Sequence, residues 1–370
     1  MTNQAGTARL PLDLKDTVVL RGIGILAIVL HNLYHSIPKA VLEMEFGFLP
    51  DRFPRFLATV GDPRQTFQTL FSYFGHFGVQ IFIFLSAYGL ALKYWQTPSW
   101  SGFVWSRVRK IYPMWFLALG FWLILRVIEY RAGGFPAFFM QNLDDLVLTT
   151  LGIISIVPFY GLPPVGPWWF LAFIMQFYWL WPSMARFIAR VGKPALLLLA
   201  AAGVVATMFL NPITSHRWWI DLVETPIGHL PELCLGIAYA RYGVRVGLGA
   251  VLLAIPVFIL GNLYALVWPL TFICALTIML YLYRLTGHIL RNQRFLQFVG
   301  EVSMPLFFVN GYLRSPFRII AISAQRWYVT LLSGLAFAAF SIVVAYGMLR
   351  LEQWLFERKG AERKLSQAAP

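Results

Sequence analysis

Three side chains that could do chemistry occur in one apolar stretch, LRGIGILAIVLHNLYH, at residues 20–35. Arg21 and His31 are ten residues apart, which is about 15 Å along an α-helix, and His35 follows His31 by one turn on the same face. A guanidinium can hold an anionic group, and a neutral imidazole can act as a general base. The stretch therefore predicts a helix with an anion-binding group at one end and a base near the other, and we favour His31 over His35 as that base.

Two other interpretations need no such chemistry. Arg21 could extend to lipid headgroups while the two histidines sit at the opposite interface of a membrane. A zinc site on His31 and His35 is possible by spacing, but HNLYH lacks the glutamate of HExxH and the sequence shows no third ligand. We therefore predict no metal centre.

A second group of charges lies in FVWSRVRKIYPMW, residues 103–115. Arg107, Arg109 and Lys110 are three cations within four positions, followed by Pro113. One interpretation is that they anchor a loop at the cytoplasmic surface. The other is that they hold the phosphates of a cytosolic donor such as coenzyme A, because arginine and lysine both bind phosphate.

Other polar residues stand inside apolar segments, where they are costly and are therefore candidates for function. Glu232 is one of these, although a structural pair with His229, three residues earlier, explains it equally well. For Gln176 we predict an interhelical hydrogen bond. Trp169, in PWWF, fits an aromatic belt at the outer interface.

The composition shows what kind of protein must position these residues. Of the 370 residues, 59% are hydrophobic and only 12% are charged, whereas soluble domains carry about 25% charge. We therefore predict an all-α, polytopic membrane bundle. The first apolar run has no small-residue cleavage site and is expected to be a retained helix. The two cysteines, Cys234 and Cys274, lack metal-ligand spacing.

A membrane span needs roughly 20 mainly apolar residues. About ten segments qualify: 17–35, 77–94, 111–129, 168–185, 194–210, 227–241, 246–266, 268–284, 296–313 and 328–349. With both termini in the cytoplasm and 146–160 not spanning, 20 of the 30 basic residues fall on the cytoplasmic side, as the positive-inside rule requires. We predict that 146–160 is a short re-entrant or surface helix on the outer side. The chain is expected to be a single domain over 1–370, with a short disordered basic tail from about residue 356.

Five stretches, in order along the chain, resemble the membrane-bound acyltransferase-3 family. LRGIGILAIVLH resembles its arginine-then-histidine helix, and FGVQIFIFLSAYGL (77–90) resembles a family segment whose serine corresponds to Ser86. SRVRKIYP is similar to its Arg-x-x-Arg-Ile-x-Pro element, with Arg107 and Lys110 at the basic positions. PWWFLAFIMQFYWLWP and LQFVGEVSMPLFFVN (296–310) resemble two later segments. The sequence departs from the family pattern at Lys110, at Ala87 and at Asn310, where many relatives have arginine, glycine and histidine.

The resemblance implies an enzyme that moves an acyl group, most often acetyl, from cytoplasmic acyl-coenzyme A to a hydroxyl at the outer membrane face. His31 and Arg21 would be the catalytic residues, with Arg107, Lys110 and Arg109 binding the donor. His35, Ser86, Trp169, Glu232 and Asn310 would support the site. The expected acceptor is a carbohydrate, a lipid-linked glycan or another hydroxyl compound, so polysaccharide O-acetylation is the expected process.

The same reasoning predicts the surroundings of the protein. It is expected in the plasma membrane of a bacterium, in contact with lipids, with acyl-coenzyme A as a substrate and no bound cofactor. Nucleic-acid binding is not expected, because the basic residues are dispersed along one membrane face despite a net charge of +14. The main alternative is a transporter or flippase of a polar molecule, which also needs ionisable residues within the membrane. A structural or sensory membrane component is the third possibility.

Overall fold

The structure is a computed structural model that describes residues 11–37, 45–96 and 99–368. These residues form α-helices joined by turns, 3₁₀ segments and one π segment, with no strand among them, so the predicted all-α class is confirmed. The helices are α1 (Leu14–Tyr34), α2 (Arg52–Val60), α3 (Thr66–Phe74), α4 (Gly78–Lys93), α5 (Trp100–Leu151), α6 (Trp169–Val191), α7 (Lys193–Val205), α8 (Asn211–Trp218), α9 (Leu230–Tyr242), α10 (Leu248–Leu263), α11 (Leu270–Leu290), α12 (Arg294–Glu301), α13 (Ser303–Leu313), α14 (Ser315–Ala324) and α15 (Trp327–Ala368).

Within the described chain, six helical stretches are long and apolar enough to cross a membrane. They are Leu14–Tyr34, Thr66–Lys93, Trp100–Arg131, Lys193–Trp218, Leu270–Leu290 and Trp327–Phe356. The protein is therefore a multi-pass membrane protein, but the predicted count of about ten spans is not confirmed by length and composition. The other four predicted spans are occupied by α6, α9, α10 and the α12–α13 pair.

Helix α1 is the central element, because α3, α4, α12, α13 and α15 all pack against it. A capping box defines its start: the Asp13 carboxylate accepts from the Asp16 backbone N–H at 3.0 Å, and the Asp16 carboxylate accepts from the Asp13 N–H at 2.9 Å. The helix then runs without interruption from the level of Arg21 to that of His31. The two residues therefore share one rigid support.

Two glycine contacts let neighbouring backbones come unusually close to α1. A Cβ on Gly78 of α4 would lie only 2.4 Å from the carbonyl oxygen of Gly24. On another side, a Cβ on Gly300 of α12 would meet the carbonyl oxygen of Val18. Small residues at such crossings are typical of packed membrane helices. They hold α4 and α12 tightly against the helix that carries Arg21 and His31.

Helix α5 reverses its direction at Arg131, where φ is 56° and ψ is 176°. The second arm runs back along the first, so that the Tyr112 hydroxyl donates to the Thr150 carbonyl at 2.5 Å and the Trp115 indole donates to the Thr150 hydroxyl at 3.2 Å. The stretch from residue 130 to Leu151, which follows the predicted span 111–129, is thus helical.

The segment 146–160 is helical only as far as Leu151, which corrects its prediction as a helix of its own. Gly152 ends the helix with φ of 74°, and one 3₁₀ turn follows at Ile154–Ile156. The Gln176 side chain of α6 donates to the Gly152 carbonyl at 3.1 Å and to the Ser155 hydroxyl at 2.9 Å. Gln176 therefore makes the structural hydrogen bonds predicted for it, and they hold this turn.

The C-terminal basic segment continues α15, which ends at Ala368. The structure therefore gives as helix the part of the chain for which we predicted a disordered tail from about residue 356.

Candidate active site

A cavity of about 780 Å³ lies at the N-terminal end of α1, between α1, the second half of α4 and the start of α5. Four cations line it, and we call it the cation cavity; they are Arg21, Lys93, Arg107 and Lys110. Ser86 also lines it, with its hydroxyl donating to the Phe82 carbonyl at 2.7 Å. The structure thus brings together Arg21, Ser86, Arg107 and Lys110, which the sequence places in three separate segments.

Aromatic side chains orient Arg107 in this cavity. Its guanidinium donates to the Tyr94 hydroxyl at 2.5 Å and lies 4.4 Å from the centre of the Tyr94 ring. The Lys93 ammonium lies 5.5 Å from the same ring. Such cation–π contacts hold positive groups in place while leaving other N–H donors available to an anion.

Arg109, which is also predicted to bind the donor, does not line the cation cavity. Its guanidinium lies 5.1 Å from the Trp105 ring, and it borders an apolar groove with Phe116 and Phe356. The reason is helical geometry: Arg107 and Lys110 are three residues apart and share a face, whereas Arg109 is two residues from Arg107 and points elsewhere.

A second cavity, of about 220 Å³, lies at the other end of α1. Both histidines of the opening motif line it, and we call it the histidine cavity. Its polar and aromatic lining consists of His31, Asn32, His35, Glu45, Phe46, Trp169, Phe307 and Arg314. The ten residues from Arg21 to His31 set a separation of about 15 Å between the two cavities.

The hydrogen bonds of His31 define which ring nitrogen can accept a proton. Its Nδ1 lies 3.2 Å from the Phe71 carbonyl oxygen, which can only accept, so Nδ1 carries the hydrogen. In the neutral ring Nε2 is then the unprotonated nitrogen. His35 repeats the pattern, with Nδ1 donating to the His31 carbonyl at 2.7 Å, and the two rings stack with their centres 4.6 Å apart. Each ring is thereby prepared to accept a proton at Nε2.

Two polar residues of this site were missed by the sequence analysis. The buried His76 has its ring centre 5.5 Å from that of His31. Arg314 donates from Nη1 to the Asn32 carbonyl at 3.0 Å and lines the histidine cavity. His76 lies between Gly75 and Gly78, both of which pack against α1, and these two glycines are the sequence signal that could have identified it. Among the described residues, no group of three or more His, Cys, Asp or Glu could hold a metal ion.

Asn310 lies outside the linings of both cavities but is connected to the histidine cavity through Asn32. The Asn32 side chain donates to Asn310 Oδ1 at 2.5 Å. The Asn310 amide in turn donates to the Leu306 and Phe307 carbonyls at 2.9 and 2.8 Å. Asn310 is fully buried, and these hydrogen bonds fix its side chain against Asn32, the residue next to His31.

The remaining predicted residues divide between the site and its surroundings. Trp169 lines the histidine cavity and hydrogen-bonds to the Glu45 carboxylate. Glu232 lies outside both cavity linings, with its carboxylate 3.6 Å from His229 Nδ1 and both side chains almost fully buried. This arrangement is the structural pair that the sequence left open as one explanation.

Glu45 adds an unusual titrating group to the histidine cavity. Burial, together with the negative charge of Glu224, raises the pKa of the Glu45 carboxyl to about 8, although the bond from Trp169 opposes the shift. Burial and the nearby Asp221 likewise raise the pKa of Glu224 to about 8. At neutral pH these carboxyls are therefore largely protonated and can donate hydrogen bonds.

Residues 18–350 match the sequence model of the acyltransferase-3 family, described as an acyltransferase domain. The chain belongs to this family. The match covers every residue that lines the histidine cavity and all four cations of the cation cavity. No curated protein and no solved structure matches the sequence. The chain is thus a membrane acyltransferase whose two cavities lie at opposite ends of α1.

Proposed function

We propose that this acyltransferase moves an acyl group, in the first instance acetyl, from acyl-coenzyme A to a hydroxyl of a carbohydrate or similar acceptor. The observation that carries the proposal is the pair of cavities on one rigid helix, one lined by cations and the other by histidines. The phosphates of the donor would bind Arg107, Lys110 and Arg21 in the cation cavity. The acceptor hydroxyl would bind beside His31.

Two chemical routes use the same nitrogen of His31. In the first, Nε2 takes the proton of the acceptor hydroxyl while its oxygen attacks the thioester carbonyl, and the coenzyme A thiolate leaves. In the second, Nε2 attacks the carbonyl itself and the thiolate leaves; the acceptor oxygen then attacks the acyl group, the imidazole leaves, and the hydroxyl proton passes to the thiolate. Both routes need Nε2 unprotonated, and the bond from Nδ1 to the Phe71 carbonyl favours that tautomer.

The chemistry also supports a topology. Coenzyme A is a cytoplasmic donor, so the cation cavity would open to the cytoplasm and the histidine cavity to the outer face. We propose ten spans with both termini in the cytoplasm, in the plasma membrane of a bacterium. The distribution of charge supports this count, because 20 of the 30 basic residues then lie on the cytoplasmic side.

The acceptor would be a glycan, so that the process is O-acetylation of a polysaccharide or of its lipid-linked precursor. The histidine cavity combines an indole from Trp169, amide and carboxyl groups from Asn32 and Glu45, and the Arg314 cation. A carbohydrate offers many hydroxyls to such polar groups, and its C–H faces can pack on an aromatic ring.

The test is acyl transfer in membrane vesicles that hold the wild type or His31→Ala. Radiolabelled acetyl-coenzyme A is supplied on the cytoplasmic side, and labelled glycan is measured. We expect His31→Ala to lower the rate by about a hundredfold to ten-thousandfold, the usual contribution of a general base. The exposed His216, on α8, supplies the control variant His216→Ala, which should retain the rate.

Full transfer by a well-expressed His31→Ala variant would contradict both routes. If the wild type moves a solute across the vesicle membrane without forming any acylated product, the chain is a transporter.

A further inference from the structure

The cation cavity and the histidine cavity are separated by aromatic side chains. Phe82 of α4 lines the cation cavity, whereas Val79, one turn earlier on the same helix, lines the histidine cavity. Phe307 of α13 lines the histidine cavity, and its ring centre lies 6.4 Å from that of Phe82. Phe170 of α6 adds a third ring, 5.2 Å from Phe307. At this point one layer of phenylalanine rings stands between the two cavities.

The backbone of α1 closes this layer on one side. A Cβ on Gly24 would lie 3.1 Å from the Phe82 ring and 3.0 Å from the Gly78 carbonyl oxygen. The Phe82 ring thus already touches the α1 backbone and has no space to move further in that direction. A passage between the cavities must therefore form by movement of Phe82 or Phe307 away from α1.

The layer stands on the route that the proposed reaction requires. Arg107 and Lys110 lie on its cation side, and His31 lies on its histidine side. If the phosphates bind the cations, then the thioester reaches His31 only when the arm of the donor crosses the rings. The acyl group crosses first, so it meets Phe82 and Phe307 before it meets His31.

We propose, on the basis of the proposed function, that Phe82 and Phe307 select the acyl group by its size. The histidine cavity offers only about 220 Å³ for both the acceptor hydroxyl and the acyl chain. Two bulky rings at its entrance leave room for a short chain and exclude a long one. Truncating either ring extends the space available to the acyl chain into the layer.

The experiment compares rates of transfer from acetyl-, butyryl- and octanoyl-coenzyme A in wild type and in Phe82→Leu, Phe82→Ala and Phe307→Leu. One methylene in an apolar pocket changes discrimination by roughly tenfold or more. We expect the ratio of butyryl to acetyl transfer to rise at least about tenfold in the truncated variants. Phe82→Trp should lower the same ratio.

The matched control is Phe84→Leu. Phe84 is on the same helix and is also buried, but it packs against Tyr239 at 5.0 Å and lines neither cavity. This variant should retain the wild-type ratio. The leucine variants keep an apolar side chain, so the comparison remains possible if Phe82→Ala fails to fold.

The outcomes separate this proposal from the proposed function. If the wild type transfers acyl groups, but folded Phe82→Leu and Phe307→Leu keep the wild-type ratio of butyryl to acetyl transfer, then the role of the rings is overturned. The proposed function is not affected by that result. Absence of transfer from every acyl-coenzyme A by the folded wild type would overturn the proposed function, and the ring proposal with it.

Discussion

Asn310 on α13 accepts a hydrogen bond from the side chain of Asn32 on α1, at 2.5 Å in a fully enclosed position. This contact joins the last family motif to the first, and Asn32 is the residue next to His31. Many relatives have histidine where this chain has Asn310. The geometry shows that asparagine supplies an acceptor for Asn32 while its own amide is satisfied by the α13 backbone. We therefore predict a positioning role for Asn310.

Asn310→Ala tests this role. Loss of the acceptor leaves the buried Asn32 amide unsatisfied, which costs about 1–3 kcal/mol of stability. We expect a lower melting temperature for the purified protein and a reduced kcat, with KM for the acyl donor within about twofold because the cation cavity is untouched. Asn32→Ala in the same background should add little further loss, since both changes remove one contact. If the losses caused by Asn310→Ala and Asn32→Ala simply add in the double variant, the two side chains are not coupled.

The cation cavity predicts a different kinetic result for its basic residues. Arg107→Gln and Lys110→Gln each remove a charged hydrogen-bond donor, worth about 1.5–3 kcal/mol, so KM for acyl-coenzyme A should rise about tenfold or more. The value of kcat should change far less, because Arg107 and Lys110 line the cation cavity whereas His31 lines the histidine cavity. Arg109→Gln is the matched control and should behave as wild type, since Arg109 borders the separate apolar groove. Equal effects at all three positions would instead indicate general anchoring at the membrane surface.

The raised pKa of the Glu45 carboxyl predicts how the stability of the protein depends on pH. Its folded pKa is about 8, well above the ordinary value of 4.5, so the folded state holds a proton that the unfolded chain releases. The contribution of this group to the free energy of unfolding is therefore largest below pH 4.5. It is lost as the pH rises towards 8, by about 1.4 kcal/mol for each unit between the unfolded and the folded pKa. Glu45→Gln keeps a neutral side chain and should reduce the fall in melting temperature between pH 6 and pH 8.5.

Two further variants define the comparison for Glu45. Glu224→Gln should also reduce the fall, because the Glu224 charge raises the Glu45 pKa and Glu224 has a raised pKa of its own. Glu129→Gln changes an exposed carboxylate that pairs with Arg126, and it should retain the wild-type profile. If the melting temperature of Glu45→Gln falls between pH 6 and pH 8.5 as much as that of the wild type, the raised pKa of Glu45 is not the cause of the fall.

Local sequence features predicted several spatial relationships among the site residues. The distance between Arg21 and His31 follows from helical rise alone, and the apolar composition identifies the membrane. The shared face of Arg107 and Lys110 also follows from helical spacing. The same spacing places Arg109 on another face of the helix, away from Arg107 and Lys110.

Other features depend on residues far apart in the chain. His76 approaches His31, and Arg314 lines the histidine cavity, only because α1 packs against the 3₁₀ turn before α4 and against α13. The reversal at Arg131 and the Phe82–Phe307 contact likewise have no signal in a single segment.

The sequence by itself determined the class of the protein, the family and the helix that carries Arg21 and His31, because composition, motif order and helical period are local properties. Only the tertiary structure decided that cations and histidines line two cavities with a layer of phenylalanines between them. The physical reason is that a cavity is bounded by side chains from several helices, and the close glycine contacts that bring those helices together appear only once the chain has packed.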